Sequence, residues 1–392
     1  MTILKVLFWF SLAVLFYCYV GYGILLFVVN KIKKGFYSLQ ADRSELLPVT
    51  LIVAAYNEGS VLSQKIENCF EIDYPRELLK VIFITDGSTD NSIELIRQCD
   101  LITLLHQSKR EGKSAALKRA MRFVQTPVVV FSDANSMLNP GCIRAIVRHY
   151  ANKKVGGVAG EKKILQGKDY SVIGHAEGMY WKYESFMKQQ DSDFNTVVGA
   201  AGELFSIRTG LFHPPFDHFI LDDFMFSIQV CLKGYRIEYE PGAFAIEASS
   251  ATLAEEEKRK IRIAAGAYQA VSHLIQCLNI FKFPLLSLQY FSRRLLRWVA
   301  SPFLIILVLI TNIELVINHQ GYIFDFLLLA QGFFYLLTLV GGIFIAAGWR
   351  MGILSIPFYF MFMNSCLVKG FFKYVRGHQT VLWEKSVREA IE

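Results

Sequence analysis

The chain has 392 residues, 53% of them hydrophobic, with 41 Lys and Arg against 34 Asp and Glu and a formal net charge of +7. That is more apolar than an ordinary soluble protein, so part of the chain is expected in lipid; the modest basicity gathers beside apolar segments ("NKIKKG", "FSRRLLRW"), which suits anionic lipid headgroups and leaves no nucleic-acid partner expected. Seven scattered cysteines without a C-x-x-C exclude a disulfide framework and a zinc site, and fit a reducing cytosol around the soluble part.

From Val6 to Val29 the chain is apolar and uncharged, long enough to cross a hydrocarbon core of about 30 Å, and predicts a transmembrane anchor over residues 1–30. The run is too long for a cleaved signal peptide and no A-x-A-like site follows it. Lys31, Lys33 and Lys34 outweigh Lys5, which places the next region, residues 41–281, in the cytoplasm beneath the cell (inner) membrane.

That region alternates strand and helix signals. "VTLIVAAYN" is followed by a helical "SVLSQKIENCFEI", "KVIFITDGSTDNS" by a helix start at Asp90, Asn91 and Ser92, "LITLLHQ" by "KSAALKRAMRFV", and then comes "PVVVFSDAN". Such repetition predicts an α/β fold with a mostly parallel sheet covered on both faces, and ligands gather at the carboxyl ends of such strands. Asn57, Asp86 and Asp133 each stand at one of these ends. Each alone reads equally as a cap or turn residue; three in successive units point to a site.

Further on, "FILDDFMFSI" sets Asp222 beside Asp223 in an apolar run, a costly placement for carboxylates without a partner or a task. "YWKYES" carries Tyr180 and Trp181, which read either as sugar-stacking residues of an acceptor channel or as helix core, and Glu203 in "GAAGELFSIR" lies where an acceptor can approach or a turn is needed. Residues 282–297 ("FPLLSLQYFSRRLLRW" from Phe283) predict an interfacial amphipathic helix, and residues 298–370 a bundle with spans near Trp298–Ile317, Phe324–Ala347 and Gly352–Val368, followed by a tail over 371–392. Four spans put both termini outside, whereas Lys369, Lys373 and Arg376 favour the inside.

Rival motifs fail on spacing. Gly112-Lys113-Ser114 lacks the glycine of a P-loop, Gln107 standing in its place; no G-x-G-x-x-G follows the first strand; "DGSTDNS" lacks the closing glutamate of a calcium loop.

"TLIVAAYNE", "ITDGSTDNS", "REGKSAAL", "FSDAN", "YWKYESFMKQQ", "GAAGELFSIR" and "ILDDFMFSIQVCLKGYRIEYEP", in this order from Pro48 to Gln269, resemble the membrane-embedded family 2 glycosyltransferases, the group of the cellulose, hyaluronan and poly-N-acetylglucosamine synthases. The resemblance implies a GT-A fold between transmembrane helices, one N-terminal and about three C-terminal, a nucleotide-sugar donor, expected to be a UDP-sugar, Mg²⁺ or Mn²⁺, and inversion at the anomeric carbon. It implies that Ala55, Asn57, Glu58, Asp86, Lys113, Asp133 and Arg262 meet the donor, Asp86 holding the nucleoside. Asp133 and Asn135 stand at the two ends of the D-x-D signature facing the metal, the second as an amide. Asp223 matches the catalytic base, with Asp222 as a neighbour that raises its proton affinity or anchors the loop.

One departure is marked. The Q-x-x-R-W of processive members is here "RKIRI", which keeps Arg262 but puts Arg259 for glutamine and Ile263 for tryptophan. The expected activity is sugar transfer to a growing polysaccharide, with export through the spans, or to a lipid-linked acceptor one sugar at a time. A non-catalytic scaffold or transporter is the rival of another class; the few polar groups in the expected spans, Glu314, Asn318 and Asn364, speak against transport.

Overall fold

The computed structural model describes residues 1–34, 45–165, 172–213, 219–349, 352 and 355–377; the expected tail beyond 377 and the expected domain start at 41–44 lie outside them. In chain order the elements are α1 (Thr2–Phe16), α2 (Tyr22–Lys34), β1 (Val49–Ala55), α3 (Gly59–Phe70), β2 (Leu79–Asp86), α4 (Ser92–Arg97), β3 (Thr103–Gln107), α5 (Lys113–Met121), β4 (Val128–Asp133), β5 (Met137–Leu138), α6 (Cys142–Val147), β6 (Val155–Ile164), α7 (Val172–Phe194), β7 (Leu204–Arg208) and α8 (Asp222–Leu232). β8 (Arg236–Glu247), α9 (Leu253–His273), α10 (Pro284–Tyr290), α11 (Ser301–Ile317), α12 (Tyr322–Ala346) and α13 (Ser355–Val375) follow among the described residues. They fall into two units: an α/β unit (Asn30–Leu165 and Trp181–Ala248) and a helical unit (the described residues of Met1–Val29, Gln166–Tyr180 and Ser249–Gln379).

The α/β unit is built on one eight-stranded sheet of order β3-β2-β1-β4-β7-β6-β8-β5. β1, β2, β3 and β4 are parallel, and the buried run of β1 follows from helices covering both faces of such a sheet. The expected mostly parallel sheet is in fact mixed: β7 enters antiparallel between β4 and β6. Its register pairs Ser132 with Leu204, so the residues just before β7 come level with the carboxyl end of β4. The core on one face packs Leu51, Val53, Phe83 and Val130 against Leu62 of α3, Ile96 of α4 and Ile146 of α6. Stacked rings of Phe131 and Phe226, 6.2 Å apart, hold α8 beside β4.

In the helical unit three helical runs are long and apolar enough to cross a membrane: Thr2–Lys33, Pro284–Ile317 and Tyr322–Ala346. Residues 284–317 form one continuous helical run, π-helical over Phe291–Ala300, so the expected interfacial segment leads directly into the span that follows. Phe8, Val308, Leu315 and Phe324 pack α1, α11 and α12 together.

Of the three C-terminal spans expected from the sequence, two have this character and α13 does not. Its apolar run is interrupted by Asn364 and extends through Lys369 and Lys373, and one side of it lies along the charged helix α9. Lys369 pairs with Glu257, Tyr359 Oη donates to Glu256 at 3.3 Å, and Tyr374 bonds Ser272 at 3.0 Å.

Candidate active site

The site lies in the α/β unit at the carboxyl edge of β1, β2 and β4. Ala55 pairs with Thr85 and Ala54 with Asp133, so the polar residues that end these parallel strands share one rim. Asn57, at φ +54°, turns the chain there; its Oδ1 accepts the Thr89 N–H at 2.8 Å, tying the end of β1 to the loop after β2. The Glu58 N–H donates to Ser92 Oγ at 3.1 Å and its carbonyl receives the first amides of α3.

Asp86 is buried and fully engaged by the protein: Oδ2 accepts the Glu111 and Gly112 amides at 2.9 and 2.6 Å, and Oδ1 accepts Arg119 at 3.0 Å. Gly112 sits at φ +96°, a conformation that favours glycine, immediately before α5 begins at Lys113. Asp86 therefore fixes the turn that delivers Lys113. The Lys113 ammonium donates to Asp133 Oδ1. Burial works against that charge, but the carboxylates of Asp133, Asp222 and Asp223 outweigh it and hold the Lys113 pKa above the ordinary value.

Asp222 and Asp223 open α8, where the helix dipole suits negative charge. Asp222 is 7% exposed; its Oδ1 accepts the Asp223 N–H at 3.0 Å and its Oδ2 is buried without a hydrogen-bond partner. Burial, and next to it the Asp222 charge, push the Asp223 carboxyl up to about 7. Gly202 lies against this pair: a Cβ there would be 3.1 Å from Lys113 Nζ and 3.2 Å from Asp223 Oδ2, so the missing side chain lets ammonium and carboxylate share the space.

Glu203 does not stand open to a ligand by itself. Its Oε1 receives Lys162 Nζ at 2.6 Å, and the same ammonium bonds Glu247 Oε2 at 2.6 Å. Burial raises the Glu203 pKa, but Lys162 outweighs that and sets it below the usual range. Glu247 also accepts Ser136 Oγ, whose backbone carbonyl takes the buried Lys65, and Lys65 reaches Ser132 Oγ at 2.9 Å. Lys65, Lys162, Glu247 and Gly202 were not singled out from the sequence. A lysine in an amphipathic helix or an alternating strand ordinarily reads as surface; only the buried partners reveal it.

The remaining expected residues divide between the units. Trp181 belongs to the α/β unit, its ring 5.0 Å from Lys162 Nζ. Tyr180 belongs to the helical unit, beside Lys260 and Tyr359. Arg262 lies on α9 in the helical unit; nearby Arg259 is held by Glu177 at 2.7 Å and by Glu256 at 2.9 Å.

Among the described residues no three His, Cys, Asp or Glu side chains form a ready-made metal cage. Asp133, with Asn135 two residues on in the turn after β4, offers hard oxygen donors. That set suits Mg²⁺ or Mn²⁺ when a ligand's phosphate oxygens complete the shell, and it fits no softer metal.

Residues 50–213 match the model of Glycosyl transferase family 2. Over these residues the chain resembles the family 2 glycosyltransferases. It is 26% identical over 270 residues to poly-beta-1,6-N-acetyl-D-glucosamine synthase of Staphylococcus aureus (strain COL), covering 65% of this chain and 63% of that protein. It is 28% identical over 163 residues to beta-monoglucosyldiacylglycerol synthase of Nostoc sp., covering 40% of this chain and 34% of that one. The matched segment thus spans less than two thirds of the length of either relative. In structure the chain is similar to a mannosyltransferase from Pyrobaculum calidifontis solved with GDP-Man and Mn²⁺, at TM-score 0.72 and 22% identity, over 95% of this chain and 100% of that one. The fold expected from the sequence, GT-A with apolar helices at both ends, is therefore the fold of this chain.

Proposed function

We propose that the chain is a hexosyltransferase that moves a sugar from a nucleotide-sugar, expected to be a UDP-sugar, to the hydroxyl of a growing polysaccharide, with inversion and with export coupled to the spans. The observation that carries this reading is Asp223, a carboxyl pushed up to about 7 beside the Lys113–Asp133 ion pair at the sheet edge. A base poised near neutrality suits removal of a hydroxyl proton during attack. The acceptor oxygen forms its bond to the anomeric carbon from the face opposite the diphosphate, and the anomeric C–O bond to the diphosphate breaks. The bonding pair leaves on the diphosphate oxygen, and the hydroxyl proton passes to Asp223. Asp133 and Asn135 would hold a divalent cation, whose contribution when bound is to neutralise the leaving group.

Three crossings return the segment after α12 to the same side of the membrane as residues 45–281. The basic residues Lys369, Lys373 and Arg376 then lie in the cytoplasm with the catalytic domain, which removes the conflict that four spans create.

The test is incubation of membranes bearing the protein with a panel of labelled nucleotide sugars and Mn²⁺, followed by sizing of the product. Labelled chains longer than one added sugar are expected, and no transfer from any donor would refute the reading. A product limited to one sugar would favour transfer to a lipid-linked acceptor. That second reading is supported by the altered Q-x-x-R-W region, where Arg259 pairs with Glu177 and Glu256, and by the relative named as a glucosyldiacylglycerol synthase.

A further inference from the structure

Asp133 is the more open of the carboxylates engaged by lysine at this edge, its side chain 32% exposed against 15% for Glu203 and 0% for Glu247. Its Oδ1 already holds the Lys113 ammonium. A cation that binds Asp133 must therefore meet a resident positive charge on the carboxylate it needs. Lysine is a compact charge on a flexible four-carbon stem and can swing away without backbone movement.

Two features beside Lys113 can receive it. Asp222 Oδ2 is buried and lacks a hydrogen-bond donor, a costly state that an ammonium would relieve. Gly202 leaves open the space beside Lys113 Nζ and Asp223 Oδ2, which a Cβ would narrow.

We infer that the Lys113 ammonium is an internal stand-in for the divalent cation, holding Asp133 before the cation binds and withdrawing toward the unpartnered Asp222 Oδ2 when a nucleoside diphosphate brings the cation in. This rests on the reading of Asp133 as the carboxylate that faces the cation. The exchange keeps Asp133 neutralised in both states and gives Asp222 Oδ2 a donor in the second. It also makes the cation and the diphosphate enter together, because the cation alone cannot displace the ammonium and complete its shell from Asp133 and Asn135.

The experiment is Mn²⁺ binding to the full chain in detergent, followed by the electron paramagnetic resonance signal of free Mn²⁺, without nucleotide and with UDP or GDP. Wild type is expected to bind Mn²⁺ alone weakly, and about tenfold or more tightly with the diphosphate. Lys113→Gln is expected to bind Mn²⁺ alone about tenfold more tightly than wild type, and Lys113→Arg, which keeps the charge, to stay as weak as wild type. Lys113→Met, which keeps the apolar stem, serves as the second neutral variant should the glutamine form not fold. Equal affinity of wild type and the neutral variants without nucleotide would overturn the inference. So would equal tightening by Lys109→Gln, which removes an exposed charge from the same loop and leaves Asp133 untouched. Sugar transfer is not read in this assay: absent transfer with these affinities refutes the proposed function alone, and transfer with unaltered affinities refutes the stand-in alone.

Discussion

Asp223 joins two properties that pull in opposite directions. Its folded-state pKa of about 7 lies above the ordinary 3.8, so between those values the folded protein keeps a proton that the unfolded chain releases. The stabilising contribution of this carboxyl is complete below pH 3.8 and is lost as pH rises through about 7, where the ionised form proposed as the base becomes available. Transfer is accordingly expected to rise through a midpoint near pH 7 in a pH–rate profile. Asp223→Asn is expected to lose about 10²–10⁴ in kcat and yet to melt above wild type at pH 8, the gap closing toward pH 4. A variant that melts lower than wild type at pH 8 would show that the buried charge is not a burden there. The aspartate pair was visible in the sequence because two adjacent charges break an apolar run. Lys162 and Glu247 were not, because each stands in an alternating strand where a charge ordinarily faces water.

The window Gly352–Val368 ends before Lys369 and Lys373, and the sequence does not reveal that α9 supplies partners for the polar positions of α13. Their contact is close: a Cβ at Gly370 would lie 2.4 Å from Ala264 Cβ and 2.9 Å from the Ala265 amide nitrogen. Gly370→Leu is expected to force the helices apart at a cost of about 1–3 kcal/mol, seen as a lower thermal midpoint of the detergent-solubilised protein. An unchanged midpoint would mean that α13 does not rest on α9. β7 escaped sequence reading for a different reason. "LFSIR" has too short a pattern to declare its direction, and its antiparallel entry is what carries Gly202 and Glu203 to the rim.

Three helical runs among the described residues are long and apolar enough to cross a membrane; the proposed topology, in which these three and no others cross, carries an expectation for the C-terminus. A protease-cleavable tag after the last residue is expected to stay protected in intact cells and to be cut only once the membrane is permeabilised. Cleavage from outside would restore a further crossing and with it the conflict with Lys369, Lys373 and Arg376.

By itself the sequence determined the α/β repeat and the apolar ends and pointed to Asp86 and Asp133 as candidates, because hydrophobic periodicity and strand-end polarity are local properties of the chain; Lys113 and Asp223 became candidates through the family resemblance. The tertiary structure alone decided who partners whom. Asp86 is spent on the turn before α5, Lys113 rests on Asp133, Glu203 is held by a buried lysine, and Asp222 keeps one oxygen without a donor. Those outcomes depend on contacts between residues far apart in sequence, and the energy of a buried charge is set by its neighbours in space.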